Sequence, residues 1–222
     1  MSRIPNTITL CNAICGMLAI LLGSPEVGAY LILTAMILDL ADGLVARALN
    51  VKSDLGKQLD SLADLISFGV APGYLFYHLF SDTEALLASV FYVLSALFRL
   101  AKFNTMDYMK DFNGLPSPAA AGVVSGYILL YAQDSVVTPY WLPMLAIITT
   151  AISMNIKMSF FSLKGGSMLT DWRLWFVVVA TLVAIVVDHS FALLVCFGSY
   201  VFISFACGVA RNMPHSHSSS SG

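Results

Sequence analysis

Residues 28–49 read GAYLILTAMILDLADGLVARAL. The first half of this run, up to Leu38, carries no charge, whereas the second half holds Asp39, Asp42 and Arg47. A bilayer-spanning helix needs about 20 mostly apolar residues, and this run supplies them. Two acids at one end do not suit a passive anchor, because ionisable groups at membrane depth are costly and mark function by default. Both features, apolar length and acids at one end, extend to the rest of the chain.

The chain has 222 residues, of which 58% are hydrophobic and 11% charged, with a net charge of −2. Soluble domains carry roughly 25% charged residues, so this chain cannot cover a water-facing surface of its size. A soluble enzyme, a nucleic-acid-binding module and a disordered chain are excluded. Further apolar runs lie at about 6–23, 58–80, 84–103, 117–133, 138–156, 172–187 and 190–210, giving eight candidate spans with residues 28–49. Their length and lack of alternation argue against a β-barrel. The last two runs are short enough to read as a re-entrant pair. No cleavable leader is expected at the N-terminus. The tail 211–222, with His215, His217 and a serine run, reads as disordered or as a tag remnant. One polytopic domain over 1–210 is expected.

All eleven Lys and Arg residues fall at alternate connections or beside them: Arg3, then Arg47, Lys52 and Lys57, then Arg99, Lys102 and Lys110, then Lys157, Lys164 and Arg173, then Arg211. The other connections hold Glu26, Asp82, Glu84, Asp134 and Asp188. Positive charge marks the cytoplasmic side, so both termini are expected on the cytoplasmic side of the cell membrane. Cys11, Cys15, Cys196 and Cys207 show no CxxC spacing and read as packing residues.

Asp39 and Asp42 are three residues apart, and Asp60 and Asp64 four apart, so each pair shares a helix face. A short connection makes their helices antiparallel neighbours, and the four carboxylates can meet near the cytoplasmic interface. Protons, basic side chains or metal ions must neutralise them. An all-oxygen set without His or Cys suits a hard cation such as Mg²⁺ or Mn²⁺. The plainer alternative is that these residues cap helices or pair with Arg47 and Lys57. Gly43 and Ala46 leave the Asp39/Asp42 face bare. Gly56 opens the next helix, where free N–H groups suit a phosphate. Arg47 offers a planar cation to phosphate oxygens. The group reads as a metal-assisted phosphate site, where two metals can clamp the attacking and leaving oxygens of a phosphoryl transfer.

In order, Asp39-x-x-Asp42-Gly43-x-x-Ala46-Arg47, eight residues, Gly56, three residues, Asp60, three residues, Asp64 matches the signature of the CDP-alcohol phosphotransferase family. The match fixes eight identities over 26 residues. The resemblance implies an all-α membrane enzyme with a six-helix core, about 1–156, leaving the runs at 172–210 as about two extra helices. It implies two divalent cations held by Asp39, Asp42, Asp60 and Asp64, with Asp64 also the general base. It further implies a CDP site lined by Asp39, Asp42, Gly43, Ala46, Arg47, Gly56 and Asp60, and a homodimer.

Ser61-Leu-Ala-Asp64-Leu-Ile-Ser67-Phe68-Gly69, Phe98-Arg99 through Asn104, Phe112 through Ala121 and Pro5-Asn6-Thr7 with Asn12 and Gly16 resemble the branch that uses L-serine as acceptor and CDP-diacylglycerol as donor. Arg99 can bind serine's carboxylate with two parallel hydrogen bonds, with Asn104 and Ser117 adding neutral ones. The alternative for Arg99 is a snorkelling anchor. Glycerol 3-phosphate or myo-inositol as acceptor, and an archaeal ether-lipid donor, are the runner-up substrates. A cation-coupled transporter is the remote alternative. It would place acids at the midplane within inverted repeats, and no repeat is visible.

Overall fold

A computed structural model describes residues 3–49, 53–105, 114–133, 139–156 and 196–199. The described residues form helices α1 (Arg3–Leu22), α2 (Pro25–Ala48), α3 (Asp54–Asp64), a π-helical segment (Leu65–Val70), α4 (Ala71–Phe80), α5 (Thr83–Thr105), α6 (Ser117–Ala132) and α7 (Trp141–Asn155), with no strand among them. Helices are the expected solution, because a lone segment in lipid must satisfy its own backbone groups. Among the described residues, three helices are long and apolar enough to cross a membrane: Pro5–Leu22, Pro25–Ala48 and Thr83–Thr105. Helices α6 and α7 are apolar but shorter. Leu21, Ile37, Leu87 and Phe98 point outward, each more than 60% exposed, as lipid-facing residues do. The molecule is an all-α integral membrane protein.

The expected run 58–80 is one rod built from α3, the π-segment and α4. Pro72 explains its middle. Proline has no N–H, so the carbonyl four residues back, on Phe68, loses its helical donor. The buried Tyr92 hydroxyl of α5 donates to Phe68 O at 2.9 Å instead. The wide turn also lets the Ala71 N–H donate to Ile66 O, five residues back. Such π-turns mark functional sites often enough to locate one, and here the turn follows directly after Asp64.

Small residues bring the helices together, as in membrane interiors where packing replaces the hydrophobic drive. Ala29, Ala35, Ala71, Ala85, Ala88, Ala96, Ala120 and Ala121 are all buried. A Cβ on Gly16 would lie 2.4 Å from Ser67 Oγ and 2.6 Å from Ser67 Cα, so α1 crosses the π-segment in direct backbone contact. The Ser67 hydroxyl donates across that crossing to Asn12 O at 2.9 Å. Helix α1 packs along α2 and α3, and α5 packs on α7.

Charge separates by end. Arg47 lies in the last turn of α2 and Lys102 in that of α5, with Lys57 near the start of α3. Glu26 starts α2 and Glu84 starts α5 at the opposite end. There Gln133 Nε2 donates to Glu26 Oε1 at 2.9 Å. Asp82 accepts from the Ala85 N–H and from the Tyr140 hydroxyl. The Tyr140 bond, ahead of the Ala85 one, holds the Asp82 carboxyl below its ordinary range, so that end keeps its negative charge.

The runs expected at 172–187 and 190–210 lie outside the described residues, apart from 196–199, which are helical. Phe197 packs on α6 where Gly122 leaves room, since a Cβ there would meet its ring at 2.4 Å. Cys11, expected to pack, is exposed, whereas Cys15 is partly buried against the core.

Candidate active site

The end of α2 and the start of the α3 rod carry the site. Asp39, Asp42 and Asp60 each bring a carboxylate oxygen within 4.8 Å of the others. The i,i+3 spacing on α2 turns two acids toward α3, and Asp60 meets them there. Asp42 is 6% exposed. Asp64 lies one turn deeper, against Asp39 and within electrostatic reach of Asp42, Asp60 and Arg99. Its Oδ1 is buried and has no hydrogen-bond partner among the described residues.

These donors fit a cation. All are carboxylate oxygens, the set that hard divalent ions prefer. A buried acceptor without a donor costs roughly 1–3 kcal/mol, and a coordinated cation would offset that cost at Asp64. The capping alternative fails for this group: three of the four lie inside helices, and Asp64, which precedes the π-segment, makes no side-chain cap hydrogen bond. Asp39 and Asp42 lie inside α2 and Asp60 inside α3, which Asp64 closes.

Gly43 stands beside Asp42 with nothing within 4 Å of where a Cβ would be. Its missing side chain therefore serves no internal packing and leaves open space next to the carboxylates. Arg47 is exposed one turn on. Gly56 departs from expectation. Helix α3 starts earlier, at Asp54, and the Gly56 N–H donates to the capping Ser53 Oγ at 3.0 Å. That N–H is committed, so the value of Gly56 lies in its size, with Asn6 Oδ1 3.3 Å from its would-be Cβ.

Arg99 is 9% exposed, and its Nη1 donates to the buried Ser117 Oγ at 2.9 Å. A snorkelling anchor would reach toward the interface; this guanidinium points inward, to Ser117 and the Asp64 side. Asn104 is engaged within the protein. Its Oδ1 accepts from Ser61 at 3.0 Å and its Nδ2 donates to Gln58 at 3.3 Å, tying α5 to α3.

Two residues of α1 join this set: Thr9, which sequence reasoning missed, and Asn12, which it quoted only as part of the serine-branch resemblance and gave no role. Thr9, 4% exposed, donates from Oγ1 to Asp42 Oδ2 at 2.7 Å. Asn12, one turn on, is fully buried. Polar residues three apart in an otherwise apolar helix were a visible signal, but nothing in their spacing names partners over 30 positions away.

A family profile described as CDP-alcohol phosphatidyltransferase matches residues 2–161. The chain belongs to the CDP-alcohol phosphatidyltransferase family. The matched stretch contains the carboxylate cluster and the open face at Gly43. Among curated relatives, the chain is 42% identical over 127 residues to a CDP-diacylglycerol–serine O-phosphatidyltransferase of Methanocaldococcus jannaschii, covering 57% of this chain and 61% of that protein. It is 42% identical over 127 residues to the protein of the same name from Bacillus subtilis, covering 54% and 72%. An archaetidylserine synthase of Methanothermobacter thermautotrophicus is 39% identical over 135 residues, covering 57% and 58%. The chain thus spans less than two thirds of both archaeal relatives.

Proposed function

We propose that this CDP-alcohol phosphatidyltransferase is a phosphatidylserine synthase, moving the phosphatidyl group of CDP-diacylglycerol to L-serine. The observation that carries the reading is the convergence of Asp39, Asp42 and Asp60 within 4.8 Å beside the open face at Gly43. The names of the M. jannaschii and B. subtilis relatives support serine as acceptor.

Asp39, Asp42, Asp60 and Asp64 would hold two divalent ions, Mg²⁺ or Mn²⁺, which would neutralise the diphosphate and acidify the acceptor hydroxyl. Gly43, Ala46, Arg47 and Gly56 line the cytidine diphosphate, with Arg47 paired to its oxygens. Arg99 and Ser117 receive serine's carboxylate on the far side of Asp64. Serine's hydroxyl oxygen bonds to the phosphorus nearer the lipid. The bond from that phosphorus to the bridging oxygen breaks, and CMP leaves with the electron pair. Asp64 takes the hydroxyl proton as general base, work that contributes about 10²–10⁴-fold.

The basic end of the helices faces the cytoplasm in this proposal, with both termini inside and the donor's acyl chains in the bilayer. The working form is a homodimer, a point that rests on the family resemblance alone; mass determination in detergent checks it. An ether-linked donor presents the same headgroup, and the name of the M. thermautotrophicus relative supports testing it. The test is CMP release from purified protein with CDP-diacylglycerol and Mn²⁺ or Mg²⁺. Serine is expected to support it. Release with glycerol 3-phosphate or myo-inositol and not serine refutes the acceptor, and no release with any alcohol refutes the enzyme.

A further inference from the structure

Asn12 alone among the described residues has two buried side-chain polar atoms without a hydrogen-bond partner. It is 0% exposed, and both its Oδ1 and Nδ2 lack a hydrogen-bond partner among the described residues. Buried amides are nearly always bonded, and an exception calls for a reason. A leucine, with the same branched arrangement of four side-chain heavy atoms, would occupy the position without that penalty. Stability therefore does not account for an asparagine here.

Its surroundings suggest what does. Thr9 precedes it by three residues on the same side of α1 and bonds Asp42. The Asn12 carbonyl accepts from Ser67, three residues beyond Asp64 on the facing rod. Asn12 thus lies between contacts to the two helices that carry the carboxylates. Asp64 Oδ1, another buried atom without a partner, belongs to that same facing rod. Helix α1 packs on α2 and α3, whereas Arg99 and Ser117 belong to α5 and α6. With Arg99 and Ser117 assigned to serine under the proposed function, α1 is left to the donor.

We infer that the Asn12 amide is a substrate-binding group on α1, whose N–H donates to the diphosphate of the CDP-linked donor. This rests on the reading of the chain as a phosphatidyltransferase. The amide N–H bonds phosphate oxygen without adding a cation to a site already rich in charge. Its cost in the ligand-free protein is then a cost of function, the trade-off expected where a binding group is buried before its ligand arrives.

The test uses Asn12→Leu in the full chain, purified in detergent, with CDP plus Mn²⁺ as the probe. The expected result has three parts. The melting temperature of the ligand-free protein is unchanged or raised. Calorimetric affinity for CDP with Mn²⁺ falls by about 10–100-fold, the range for a lost hydrogen bond to a charged group. The KM for serine stays at the wild-type value. Unchanged CDP affinity overturns the inference, as does a rise in serine KM without loss of CDP affinity. A loss of affinity that only tracks a loss of ligand-free stability overturns it too. If Asn12→Leu does not accumulate, Asn12→Ala removes the same two polar atoms and carries the same readouts. Wild-type protein that binds no CDP and releases no CMP would instead sink the phosphatidyltransferase reading itself.

Discussion

Thr9→Val removes one hydroxyl and keeps the side chain's shape, so it isolates the bond to Asp42. That bond is 2.7 Å long, buried, and accepted by a carboxylate. Thr9 Oγ1 also lies 3.0 Å from Pro5 O, but a hydroxyl has one proton, and the carboxylate is the stronger acceptor. The Pro5 carbonyl keeps the Thr9 N–H as its helical donor, so valine strands no backbone group. A hydrogen bond to a charged group contributes about 1.5–3 kcal/mol, equivalent to roughly 10–150-fold in an equilibrium or a rate. Removing a group that orients a metal ligand costs about 10–100-fold in metal affinity or activity, in agreement. We therefore expect Thr9→Val to raise the Mn²⁺ concentration for half-maximal CMP release by at least about tenfold. Mn²⁺ binding measured by calorimetry without substrate should weaken in parallel, and Thr9→Ser should restore most of both. Wild-type Mn²⁺ dependence in Thr9→Val, or a Thr9→Ser variant as impaired as the valine, would refute the positioning role.

Four further outcomes follow from the same geometry. Asp64→Asn should lose CMP release by at least about 10²-fold while still binding CDP with Mn²⁺; a fully active variant would remove Asp64 as the base. Gly43→Ala has open space for its methyl and should leave the fold as stable or up to about 1 kcal/mol more so, yet raise donor KM; unchanged donor KM would show that the open face is not the donor's. Gly16→Ala, whose methyl would overlap Ser67, should instead lower stability by about 1–3 kcal/mol as overpacking does, read as the detergent melting temperature. Arg99→Ala should raise serine KM more than donor KM, and equal effects would argue that Arg99 only braces Asp64 and Ser117.

The rods were legible because lipid allows so few solutions: apolar runs near 20 residues become helices, and charge sorts to the ends. The carboxylate meeting point was legible because spacings of three and four on antiparallel neighbours leave them little choice. The interior of the rod 54–80 was less so. Pro72 is visible in the sequence, but the hydroxyl that replaces its missing N–H comes from Tyr92 on another helix, and no local pattern links them. Arg99 shows the same limit, since a lone cation near a span end reads alike whether it snorkels or turns inward to Ser117. Gly56 lies in the first turn of a helix, but the Ser53 hydroxyl three residues before it takes its N–H, a pairing that only the cap geometry reveals. Thr9 carried no role in the sequence, and Asn12 only a resemblance without one, because a hydroxyl and an amide in an apolar helix do not name their partners. Their meaning comes from Asp42 and Ser67, which only the fold brings beside them.

In the proposed function, four carboxylates on two helices serve transfer of a phosphatidyl group to serine. The most direct measurement is product stoichiometry in a single reaction. Purified protein, CDP-diacylglycerol, Mn²⁺ and isotopically labelled serine should yield CMP and labelled organic-phase lipid in equal amounts, both abolished by EDTA. CMP without labelled lipid, or labelled lipid only when serine is replaced by labelled glycerol 3-phosphate, would contradict it.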